Sequence, residues 1–268
     1  MFVTFLIAFR ESLEAFLLVG ILLAYLRQLG ALQYARWIYL GVVAGLVAAL
    51  AAAVVLELAV SQVDNKTYRL ILTAAIMLGA AIVLTYMAIW MQKQAREATG
   101  SAKAHLKEHL STGNVLGIAF LSFISVWREA METILFLSAL AYSGESLSVP
   151  GGLIGFVLAI AVVWLLLRGT RKVPIREFFR WSSLLLIVIA AGLLSSATNI
   201  LQGVGILPGP TDPLFDISGI LSDQGGFGEF LRGLFGYNAS PTPLQFGVWL
   251  AFLVVAVGLW WRAYAQKA

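Results

Sequence analysis

The chain has 268 residues, of which 60% are hydrophobic and 12% charged, and it carries a net charge of +4. A soluble domain of this length holds about 25% charged residues, so the composition excludes an ordinary soluble enzyme and indicates an all-α integral membrane protein. No cysteine is present, which excludes disulfides, thiolate metal sites and cysteine nucleophiles.

Apolar runs of helical length predict seven spans: about 2–26, 37–60, 70–91, 115–142, 151–167, 182–201 and 246–261. The first run has no basic n-region and contains three charges, so it reads as a retained span rather than a cleaved signal. A long segment rich in Gly, Pro, Asp and Ser, about 203–245, separates the last two spans and reads as an outer loop. The whole is expected to form a single transmembrane domain over residues 1–268. Within it, repeat 1 covers about 1–92, repeat 2 about 115–203, the outer loop about 203–245 and the last helix about 246–261.

Lys and Arg set the orientation. With the N-terminus outside, the inner segments hold thirteen basic residues: Arg27, Arg36, Lys93, Arg96, Lys103, Lys107, Arg168, Arg171, Lys172, Arg176, Arg180, Arg262 and Lys267. The outer segments hold three, Lys66, Arg69 and Arg232. The positive-inside rule therefore gives N-out and C-in.

Two charged pentapeptides interrupt the first and fourth spans, Arg10-Glu11-Ser12-Leu13-Glu14 and Arg128-Glu129-Ala130-Met131-Glu132. Left unpaired at mid-membrane, six charges would cost on the order of 15–20 kcal/mol, more than the net stability of most folds. The groups must face one another, water or a bound cation. At an offset of 118, Phe2, Phe5, Arg10, Glu11, Glu14 and Leu17 match Phe120, Phe123, Arg128, Glu129, Glu132 and Leu135. The copies stand three apart in the order of spans, with two spans between them, so they cross in opposite directions: an inverted repeat of helices 1–3 and 4–6 with helix 7 appended. Such repeats are a transporter signature, with the substrate held near the midplane and one repeat rocking against the other.

Spacing of three places Glu11 with Glu14, and Glu129 with Glu132, on one helix face. If the two helices meet, four carboxylates gather. Arg10 and Arg128 each reach the Glu four residues on, leaving two net negative charges. This all-oxygen, anionic, sulfur-free site suits a hard cation, and chemistry alone admits Fe³⁺, Mn²⁺, Ca²⁺, Mg²⁺ or a coupling proton. An intrahelical Arg–Glu lock and a general proton relay are the plainer readings of the motifs. The lock leaves the surplus Glu and its duplication unexplained, and the relay stays open beside a bound cation.

Two RExxE motifs on the first and fourth of seven N-out spans resemble the oxidase-dependent iron permeases. That family includes the fungal high-affinity iron permease and bacterial EfeU-type permeases. The resemblance extends to the opening MFVTFLIAFRESLEA, to Leu84–Met91, to Phe179–Leu184 and to the stretch from Phe215 to Tyr237. It implies inward iron transport, in the ferric form, across the bacterial cytoplasmic (inner) membrane. Glu11, Glu14, Glu129 and Glu132 would be the iron-handling carboxylates, with Arg10 and Arg128 supporting them. It implies no organic cofactor, and separate periplasmic iron-binding or iron-oxidising partner proteins. The alternatives from the residues are a transporter of another divalent cation such as lead or manganese, or an intramembrane metal-dependent lipid diphosphate phosphatase. No Ser/Arg-rich phosphate loop adjoins either motif to favour the phosphatase.

Glu57, Asp64, Asp212, Asp216, Asp223 and Glu229 form a candidate acidic outer vestibule that would concentrate cations; solvated loop positions are the plainer reading. His105 and His109 lie in a basic inner loop that repels cations. Met87 and Met91 read as packing, and Thr85, Tyr86, Ser122, Ser125, Asn199 and Gln202 as interhelical hydrogen-bonding groups rather than oxygen ligands along a path. Gly41-xxx-Gly45 and Gly151-xxx-Gly155 permit close helix approach.

Overall fold

The computed structural model describes residues 1–94, 104–106, 108, 114–144, 146–168, 175–223 and 226–265. The side chains of 90–94, 175, 176, 226, 229, 233, 234, 264 and 265 lie outside that description. So do Arg96, Lys103, Lys107, His109, Arg171, Lys172 and Lys267 altogether, as do the side chains of Met91, Lys93, Arg176 and Glu229. Among the described residues the ordered structure is helical, with no strand.

The long helices are α1 (Phe2–Gln28), α2 (Ala35–Ser61), α3 (Lys66–Gln94), α4 (Val115–Tyr142), α5 (Val149–Leu167) and α6 (Ile175–Gly203). They are followed by a short α7 (Gly226–Phe235) and a long α8 (Pro243–Ala265). Side-chain caps mark several starts. The Asn65 carboxamide oxygen accepts from Thr67 N (2.9 Å), and that of Asn114 accepts from Gly117 N (2.9 Å). Ser148 caps α5 by accepting from Gly151 N at 3.1 Å, with Pro150 in the first turn, so α5 begins two residues before its expected start.

Five of these helices, α2, α3, α5, α6 and α8, contain stretches long and apolar enough to cross a membrane, which makes this a multi-pass membrane protein. The helices α1 and α4, of 27 and 28 residues, are long enough but carry the two charged pentapeptides. The outer segment is not wholly loop. Phe227, Phe230 and Leu231 fall at helical spacing and form the apolar stripe of α7, which the glycines at 226, 228 and 233 conceal in the sequence.

The chain divides into two compact units. Unit 1 comprises Met1–Glu57, Lys93–Ile134 and Ser148–Ile175. In it α5 runs parallel along α1: a Cβ placed at Gly151 would sit 2.7 Å from Met1 O, and one at Gly155 would sit 2.6 Å from Phe5 O. Further along, Phe16 and Phe156 meet edge-on with ring centres 5.2 Å apart, and Gly20 accommodates Leu167. In the same way α2 runs parallel along α4. Gly41 abuts Ala119 O, and a Cβ at Gly45 would sit 3.0 Å from Phe123 O. The absent side chains let the backbones touch. The helices α1 and α4 run antiparallel. Leu22 and Leu26 share a buried cluster with Ile118, while Glu11, eleven residues back on α1, meets Glu129, eleven residues on along α4.

Unit 2 comprises Leu58–Gln92, Leu135–Leu147 and Arg176–Ala268. Ala88, Ile187, Ala256 and Trp260 form a core cluster, and Trp260 Nε1 donates to Ser183 Oγ at 3.0 Å. Gly236 ends α7 with φ at 65°, and there its backbone abuts Gly192 of α6. Arg232 donates to Gly144 O at 2.8 Å and Trp249 Nε1 to Phe235 O at 2.8 Å, which tie α7 down.

Candidate metal centre

Both pentapeptides are helical, so each aims its two carboxylates to one side. On α1, Arg10 Nη1 donates to Glu11 Oε1 at 2.5 Å, and Nη2 lies 3.1 Å from Glu14 Oε1. On α4, Arg128 Nε donates to Glu129 Oε1 at 3.0 Å and lies 3.7 Å from Glu132 Oε1. Each arginine therefore engages the adjacent Glu most closely, as well as the expected partner four residues on. The reason is reach: a guanidinium with five donors in a fork spans two acceptors on the same turn.

The arginines hydrogen-bond one oxygen of Glu11 and one of Glu129 and leave the other. Glu11 Oε2, Glu129 Oε2 and Glu132 Oε2 are buried with no hydrogen-bond partner. A buried carboxylate oxygen without a partner is costly unless a proton or a cation meets it. Carboxylate oxygens of Glu11, Glu14 and Glu129 all lie within 4.8 Å of one another, and all three residues are buried. Glu132, also buried, is held beside Arg128 and is not one of the three. Two antiparallel helices thus bring three of the four expected carboxylates to a single point.

The two arginines are not equivalent. Arg10 is 1% exposed, whereas the Arg128 side chain is 46% exposed. Thr133 Oγ1 donates to Glu129 O at 2.9 Å, and Thr4 Oγ1 accepts from Ser148 N at 3.3 Å. Thr4 and Ser148 tie the start of α1 to the cap of α5 across 144 residues, a link for which the sequence carries no pattern.

The candidate vestibule acids form no comparable cluster among the described residues. Glu57, Asp64, Asp212 and Asp216 are exposed, and Asp223 is half-buried. Asp216 serves its own turn. Its Oδ1 accepts from Ser218 N at 2.9 Å, and Ser218's hydroxyl and N–H hold its carboxyl below the usual range. His105 lies 3.8 Å from Glu108 at an exposed position. Met87 is buried in packing, Ser122 and Ser125 donate to carbonyls one turn back, and Gln202 accepts from Thr242 at 2.6 Å.

The profile of the iron permease FTR1 family matches residues 1–266. The chain belongs to the iron permease FTR1 family. Among relatives, it is 32% identical over 260 residues to the ferrous iron permease EfeU of Yersinia pestis, covering 96% of this chain and 92% of that one. It is 30% identical over 263 residues to the ferrous iron permease EfeU of Escherichia coli O157:H7, covering 96% and 94%. No solved structure matches the chain. The resemblance carried by the paired RExxE motifs is borne out, and iron is the transported substrate. A permease is a transporter, so the phosphatase alternative falls.

Proposed function

We propose that this iron permease carries iron inward across the bacterial inner membrane through Glu11, Glu14 and Glu129, with Glu132 completing the set. The observation behind this reading is the convergence of three buried carboxylates from two antiparallel helices, with buried oxygens of Glu11 and Glu129 that have no hydrogen-bond partner. All donors are oxygen, which suits iron in either oxidation state.

Charge balance favours the ferrous ion over the ferric form expected from the sequence. Four carboxylates and two guanidiniums sum to two negative charges. A divalent ion neutralises them, whereas a trivalent ion leaves a net charge in a low-dielectric site. The name those relatives carry, ferrous iron permease, agrees. In this reading α1 and α4 join the five apolar helices to make seven spans, N-out and C-in, as an inverted repeat of α1–α3 and α4–α6 followed by α8, all in one transmembrane domain. The acidic residues Asp64, Asp212, Asp216 and Asp223 of the outer segments raise the cation concentration on that side. Separate periplasmic proteins deliver the metal.

Radiolabelled iron uptake into proteoliposomes tests this, with the metal supplied as ferrous iron under ascorbate or as ferric citrate. Ferrous uptake is expected to fall at least about 10- to 100-fold in Glu11→Gln and in Glu129→Gln, the scale of loss when a metal site loses a supporting group. Undiminished uptake in both variants would sink the site assignment, and faster ferric uptake would sink the ferrous one. A competition series with manganese and lead measures selectivity against other cations in the same vesicles.

A further inference from the structure

The two close helix contacts of unit 1 are one contact built twice. Met1, Phe5 and Phe9 stand at the motif offset of 118 from Ala119, Phe123 and Trp127. Gly151 and Gly155 meet the first set, and Gly41 and Gly45 meet the second. The equivalence extends to side chains: rings of Phe5 and Phe9 stack with centres 5.8 Å apart, and those of Phe123 and Trp127 stack at 6.2 Å. Each RExxE helix is therefore clamped by the second helix of the opposite half of the chain, and the halves have exchanged partners.

We propose that the bodies that move during transport are these exchanged pairs, α1 with α5 and α4 with α2, and that the carboxylates lie on the seam between them. The proposal rests on the iron-carrying role assigned above to Glu11, Glu14 and Glu129. Within a pair, backbone touches backbone, so sliding would drive Cα atoms over carbonyls. Between the pairs, α1 meets α4 through long, adjustable side chains: the glutamates at one level, and the cluster that holds Leu22, Leu26 and Ile118 at another. A seam that opens and closes around a bound ion needs side chains that can change rotamer, and this is the seam that has them. Rocking of residues 1–92 against 115–203 would instead break both backbone contacts at once.

The absence of native cysteine allows a direct test. Phe16 of α1 and Phe156 of α5 meet with ring centres 5.2 Å apart, and Ile38 of α2 lies in one buried cluster with Ile118 of α4. These positions avoid the contact glycines, where a Cβ would strike the facing backbone. Phe16→Cys with Phe156→Cys, and Ile38→Cys with Ile118→Cys, each joined by a short reducible bis-methanethiosulfonate, lock the inside of each pair. Leu22→Cys with Ile118→Cys, joined by the same reagent, locks the seam. Ferrous uptake is compared for the same vesicles before and after reduction, so each protein is its own folding control. The within-pair links are expected to form and to leave uptake within about twofold of the reduced state, while the seam bridge lowers it about tenfold or more, reversibly. Within-pair links that fail to form or that stop uptake, or a seam bridge that leaves uptake intact, overturn the proposal. Glu11→Gln in parallel separates the two readings: its loss of uptake upholds the site even where the cross-links refute the pairs.

Discussion

Arg10 and Arg128 occupy equivalent motif positions yet carry different structural weight. Arg10 is wholly buried between Glu11 and Glu14, so Arg10→Ala strips two buried carboxylates of their counter-charge. Breaking a buried pair from one side costs about 3–5 kcal/mol. Arg128 is half-exposed and its contact with Glu132 is longer, so Arg128→Ala is expected to cost about 1.5–3 kcal/mol, the range for a charged hydrogen bond. Thermal unfolding of the purified variants in detergent checks this, and equal losses would refute the asymmetry. The charged residues themselves were legible in the sequence because an ion in an apolar run is an energetic anomaly that needs no structure to notice. Their inequality was not, since exposure depends on which neighbours arrive, and the two pentapeptides read alike. The bond between Thr4 and Ser148 was equally hidden, because nothing in either residue's local pattern refers to the other.

At the scale of helices, the glycines divide by what they touch. Gly247 and Gly258 of α8 have open space where a Cβ would go, and Gly155 of α5 faces Phe5 O at 2.6 Å. Alanine at 247 or 258 is therefore expected to be neutral or to stabilise by about 0.5–1 kcal/mol through helix propensity. Gly155→Leu is expected to force α5 off α1 and to destabilise by about 1–3 kcal/mol, the cost of overpacking. Unfolding midpoints of the three variants decide it; a destabilised Gly247→Ala together with a tolerated Gly155→Leu would contradict the packing. The long helices were readable because apolar length is a strong signal, and the bounds of α4 coincide with the expected ones at both ends. The helix α7 escaped because its three glycines look like loop, although Phe227, Phe230 and Leu231 carry the helical spacing. The expectation of paired glycine contacts was sound, but which helix each would meet was not deducible. An offset of 118 states equivalence and says nothing of partnership.

For the molecule as a whole, directions within unit 1 bear on how the chain crosses the membrane. The parallel course of α1 with α5, and of α2 with α4, requires an odd number of crossings between the members of each pair. That follows if α1 and α4 span despite their charges. The ends that the proposed topology puts inside also carry arginine–tryptophan pairs: Arg36 lies 5.6 Å from the Trp37 ring centre, Arg168 3.7 Å from that of Trp164, and Arg180 5.9 Å from that of Trp181. Tryptophan with a cation above it suits the headgroup layer, where one face is apolar and the other wet. The orientation predicts accessibility. Gln33 and Ser240 are both exposed, Gln33 between α1 and α2 and Ser240 just before α8. In the cysteine-free chain, Ser240→Cys is expected to react with a membrane-impermeant maleimide in intact spheroplasts, and Gln33→Cys only after permeabilisation. The reverse pattern would invert the proposed topology and turn inward transport into export. Labelling of both from outside would mean that α1 does not cross, leaving Glu11 and Glu14 without the mid-membrane setting on which the proposed ion site depends.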